Sequence, residues 1–122
     1  MSISERTSPC PPVETDPDRL AADLEACGHR VLLLYGSSVP PCVEEALRGE
    51  GREFRLFEMS GAEPSPLEES VEIGAAICRH ELIEVLLVVG GSAALDFAVR
   101  VAECFRTKDP SGHGVRVLHL PV

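Results

Sequence analysis

Gly36-Ser37-Ser38 and Gly90-Gly91-Ser92 each follow an unbroken apolar run. Where a side chain is missing, the backbone can approach a phosphate closely. The free N–H groups that open a following helix point at such an anion, and the helix dipole favours its charge. Ser37, Ser38 and Ser92 add hydroxyl donors. Glycine at a strand-to-helix turn also has a purely conformational use. The pairing of two such turns is what points to phosphate. Neither turn is a GxGxxG or a GxxxxGK[ST] loop, so the generic dinucleotide and P-loop fingerprints are both missing.

Other chemistry-bearing residues have simpler readings. His113 and His119 flank the last apolar run with no acidic partner in sequence, which suits structural histidines better than a metal pair. His80, near a helix C-terminus, suits the dipole. Asp96 is expected in the first turn of its helix, where either the dipole or a cofactor accounts for it. Cys42 follows two prolines at a helix start, a place where a thiolate is stabilised. The 5 cysteines form no CxxC pair, and an odd, irregularly spaced set reads as free thiols in a reducing compartment. Glu68, Glu69 and Glu72 read as a solvated helix face. Tyr35, at a strand end, reads as core with stacking on a base as the alternative. A receiver domain is excluded, because Gly36-Ser37 and Gly90-Gly91 stand where that fold needs acidic residues.

The turns must be held by the elements around them. Residues 1–16, rich in Pro, Ser and Thr, read as a flexible arm, and residues 17–122 as one domain. Asp16 followed by Pro17 starts a helix that carries Leu20, Leu24 and Cys27 to Gly28. Val31 to Tyr35 is continuously apolar and predicts a strand buried on both faces. A helix from about Pro41 to Arg48 follows, then the alternating EFRLFEM, a more peripheral strand. GAEPSP (Gly61 to Pro66) is a loop that opens a helix running to about His80. EVLLVVGG is a second buried strand, Ala93 to Phe105 a helix, Lys108 to Gly114 a loop, and VRVLHL a last strand.

Strands alternating with helices give an α/β fold with a parallel sheet. The expected architecture is a Rossmann-like three-layer domain of about four strands in the order 2-1-3-4. The first and third strands are then neighbours whose crossovers run opposite ways, and both glycine turns sit at that switch point.

Length and composition are compatible with this. The chain has 122 residues, 44% hydrophobic and 25% charged, as suits one globular domain. A net charge of −9 argues against a nucleic-acid surface. Val85 to Val89 is far too short to cross a bilayer. The N-terminus has no secretory h-region, so the expected location is cytoplasmic.

HRVLLLYGSS, and then the stretch from EMSGAEPSP through GGSAALDFAVRVA, resemble the N-terminal domain of the iron-containing (group III) alcohol dehydrogenases. These belong with the dehydroquinate synthases in one fold superfamily. GAEPSP is similar to that family's GVEPNP-type loop, and GGSAALD to its GGGSxxD pyrophosphate turn. The resemblance covers roughly residues 19–122. It implies that Gly90, Gly91, Ser92 and Ala93 contact pyrophosphate, that Asp96 is the motif's aspartate, and that Gly36, Ser37 and Ser38 lie by the adenosine ribose. The small Gly-Ser-Ser turn leaves room for a 2′-phosphate, so the implied cofactor is NADP or NAD, with a lean to NADP.

Departures from the pattern are clear. Ser92 stands for the motif's third glycine, Ala93 for its serine and Val99 for its lysine. By the resemblance, metal ligands and substrate pocket belong to a helical C-terminal domain that this sequence does not include, so no metal is expected here. The implied function is the NAD(P)-binding portion of such an oxidoreductase, not catalytic alone. A separate helical catalytic domain or self-association would complete it. A non-catalytic interaction module that has lost the cofactor is the first alternative, and a dehydroquinate synthase-like fragment the second.

Overall fold

The computed structural model describes residues 12–36, 39–48, 53–58, 68–108 and 115–121. The elements are β1 (Val13–Glu14), α1 (Leu20–Cys27), β2 (Arg30–Tyr35), α2 (Pro41–Arg48), β3 (Glu53–Glu58), α3 (Glu68–Glu81), β4 (Val85–Val89), α4 (Ser92–Lys108) and β5 (Arg116–Leu120). The strands form one parallel sheet in the order β1-β5-β4-β2-β3. The four expected strands therefore take the expected order, read from the β3 side.

The strand count differs by one, and the extra strand lies within the segment read as an arm. Val13 and Glu14 pair with Leu118 and His119 at the sheet edge. Thr15 continues the attachment: its N–H donates to the His119 carbonyl at 2.9 Å and its buried hydroxyl donates to Asp23 Oδ2 at 2.6 Å. Two residues carry no periodicity to read, so only the sheet reveals this strand. Residues 1–11 lie outside the described residues.

Alternation along the strands sends side chains to two separate cores. Leu32, Leu34, Leu86, Val88 and Val117 pack under α3 and α4, meeting Val71, Cys78, Phe97, Val101 and Phe105. Val31, Leu33, Val85, Leu87, Leu118 and Leu120 pack under α1 and α2, meeting Leu20, Leu24, Val43 and Leu47. Helices on both faces explain why β2 and β4 are apolar without interruption. Each buried Leu or Val contributes about 2 kcal/mol. β3 is an edge strand, as its alternation implied, but Phe54 and Leu56 remain 38% and 52% exposed on the α1/α2 side.

The helix starts are set locally. Asp16 does not open α1 directly. Its carboxylate accepts the Arg19 N–H at 2.9 Å, which caps the turn at 17–19, and α1 begins at Leu20. Gly28 ends α1, donating to the Leu24 carbonyl at 3.0 Å. A β-carbon there would stand 2.5 Å from Glu84 Oε1, which accepts the His29 N–H at 2.6 Å. No helix among the described residues is long and apolar enough to cross a membrane.

Candidate functional site

β2 and β4 are hydrogen-bonded neighbours, with Tyr35 opposite Val89. Gly36 and Gly90 follow these two residues directly, so both glycine turns leave the sheet side by side. The crossover through α2 leads to β3 on one side, and that through α4 leads to β5 on the other. This is the switch point expected from the sequence. Ser37, Ser38 and the GAEPSP loop lie outside the described residues.

Three glycines at this edge lack side chains for different reasons. Gly90 has φ +152°, and a β-carbon there would come within 2.8 Å of Ala94 Cβ. The turn itself thus requires glycine at 90. Gly91 and Gly36 carry no such requirement, since a β-carbon on either would meet nothing within 4 Å. Open space beside Gly91, at the mouth of a helix, is what a phosphate needs.

The Gly91 carbonyl accepts the Leu95 N–H at 3.1 Å and so starts the ladder of α4. Ser92 and Ala93 follow as exposed residues of its first turn, whose N–H groups have no carbonyl four residues back. Ser92 joins the helix, so α4 begins one residue earlier than the expected Ala93. Asp96 is therefore the fifth helical residue and not part of the first turn. Its carboxylate pairs with Arg100 Nε at 3.3 Å on the solvent face. The structure thus brings Gly36, Gly90, Gly91, Ser92 and Ala93 together, with Asp96 one turn further along the helix.

His119 is the residue that sequence reasoning missed. The sequence suits a structural histidine there, and the structure shows what it holds: Nε2 lies 2.8 Å from the Gly90 carbonyl oxygen. The Gly90 N–H donates to the Leu120 carbonyl at 3.2 Å. The glycine turn is therefore fastened to β5 at two points. No short-range pattern reports a contact between residues 29 positions apart.

The described cysteines, Cys27, Cys42, Cys78 and Cys104, are free thiols. Burial pushes the Cys78 thiol up to about 12. Cys27 is raised by burial as well, with the nearby Arg116 acting in the opposite direction. Cys42, the second residue of α2, packs against the α1/α2 core. Among the described residues, no three or more of His, Cys, Asp and Glu stand together in a way that could hold a metal ion. His113 lies outside the described residues.

No protein-family model matches the chain. It is 33% identical over 87 residues to NADH-dependent butanol dehydrogenase B of Clostridium acetobutylicum, a match covering 68% of this chain and 22% of that protein. It is 35% identical over 91 residues to probable NADH-dependent butanol dehydrogenase 1 of Bacillus subtilis, covering 70% and 23%. The chain thus spans under a quarter of the length of these curated relatives. Its fold matches the crystal structure of an iron containing alcohol dehydrogenase with a TM-score of 0.69 at 18% identity, covering 93% of this chain and 36% of that one. It matches NADH-dependent butanol dehydrogenase A of Thermotoga maritima with a TM-score of 0.67 at 23% identity, covering 89% and 32%.

Proposed function

We propose that this chain, which is related to the iron-containing alcohol dehydrogenases and matches part of their length, binds a nicotinamide dinucleotide across its paired glycine turns. The carrying observation is the open space at Gly91 beside the start of α4, at a switch point between β2 and β4. On this reading the backbone of Gly90, Gly91, Ser92 and Ala93 holds the pyrophosphate. The resemblance assigns Gly36, Ser37 and Ser38 to the ribose and makes Asp96, paired with Arg100 one turn into α4, a further cofactor residue. The dinucleotide, once bound, carries a hydride on its nicotinamide ring. The chain's own residues bind and orient it, and none is assigned a catalytic role.

The names of the relatives favour NAD(H) over the NADP toward which the small Gly-Ser-Ser turn leans. Titration calorimetry with NADH and NADPH separates the two, and no binding of either at millimolar concentration overturns the proposal. Gly91→Val should weaken NADH binding at least tenfold with little change in melting temperature, because its side chain projects into open space. An unchanged affinity in that variant would remove Gly91 from the site.

Ser92, Ala93 and Val99 favour a second reading. They replace a glycine, a hydroxyl and a positive charge of the resembling motif, as in a module that has kept the fold and lost the cofactor. The same titration decides between the two. The dehydroquinate synthase alternative receives no support from the butanol dehydrogenase relatives.

A further inference from the structure

We infer that His119 is a positioning residue: it holds the Gly90–Gly91 peptide in the one orientation that presents the Gly91 N–H to an anion. The inference rests on the dinucleotide reading for its ligand, but not for its geometry. A carbonyl oxygen only accepts, so at 2.8 Å from the Gly90 oxygen Nε2 must carry the proton. The imidazole is a firm anchor. His119 lies on β5 between β4 and β1, opposite Val88 and Glu14, and is half-buried.

The peptide that it holds needs an anchor. It joins two glycines, so no β-carbon on either side resists its rotation, and a β-carbon on Gly91 would meet nothing. The Gly90 N–H bond to Leu120 fixes the preceding peptide, not this one. A trans peptide is planar, with its N–H antiparallel to its C=O. Fastening the Gly90 carbonyl to His119 therefore aims the Gly91 N–H away from β5. A flipped peptide would turn a carbonyl oxygen toward a bound phosphate and repel it.

The test uses the full chain with isotope-edited NMR and NADH titration. His119 in the wild-type protein should be the Nε2–H tautomer, and an Nδ1–H tautomer overturns the inference outright. His119→Leu, which cannot donate, should move the Gly91 and Ser92 amide resonances and raise the NADH Kd about tenfold, the loss expected for one donor. His119→Gln, whose amide can donate, should leave both near wild type. A leucine variant with unmoved Gly91 resonance and unchanged NADH affinity refutes the role. If wild type binds no NADH, the cofactor reading fails, and tautomer and resonances still decide what His119 does to the peptide. If the leucine variant does not fold, the wild-type tautomer and the glutamine variant decide.

Discussion

Leu82 follows the last residue of α3 with φ 56°, the described non-glycine residue with positive φ. The next N–H, of Ile83, reaches back to the Cys78 carbonyl at 3.0 Å, so Leu82 is the left-handed residue of a Schellman-type stop. That conformation costs an L-residue about 1 kcal/mol, and the Leu82 side chain is 66% exposed, so it recovers little by burial. Leu82→Gly should raise stability by about 1 kcal/mol, read as a higher urea midpoint at unchanged slope. Glu84, two residues on, works in the opposite sense. Its carboxylate accepts the backbone N–H groups of His29 and Arg30 at 2.6 and 3.3 Å. The His29 bond, chiefly, lowers its pKa below the ordinary value. A lowered folded pKa adds stability that is complete above the unfolded value, about 4.3, and is lost as pH falls through the folded one. Glu84→Gln should therefore cost about 1 kcal/mol at pH 7. Denaturation at a series of lower pH values should show that gap closing. A constant gap would assign the effect to shape rather than charge.

Among the elements, the α3–α4 layer buries one large ring in particular. Phe97 on α4 is 2% exposed and its ring lies 5.8 Å from that of Phe57 on β3. Phe97→Ala should cost about 3–5 kcal/mol, a large part of a small domain's stability, and thermal denaturation would measure it. The longer elements were legible because their cause is repetitive. Runs of apolar residues, Val31 to Tyr35 and Val85 to Val89, have no polar face, so β2 and β4 had to lie inside. The bounds of α2 were legible at both ends. The elements that escaped depend on partners far along the chain. β1 is two residues whose order comes from backbone bonds to β5, and α4 gained Ser92 because the Gly91 carbonyl accepts from Leu95. Of the candidate site, the glycines and their adjacency were legible from connectivity. The histidine that fastens one of them was not, because side chain and carbonyl meet only when β5 lies beside β4.

For the molecule as a whole, the sheet order separates neighbours in space from neighbours in sequence. β2 and β4, adjacent at the glycine turns, are joined through α2, β3 and α3. β1 goes furthest: its partner is β5, the last strand, roughly a hundred residues away along the chain. A growing polypeptide therefore makes Val13, Glu14 and Thr15 early and leaves them without their sheet until Leu118 and His119 emerge. The same late strand delivers the imidazole to the Gly90 carbonyl. The edge of the sheet and the fastening of the glycine turn thus both wait for one strand, β5. A chain arrested before β5 would carry the Gly90 turn without either of its two bonds to that strand.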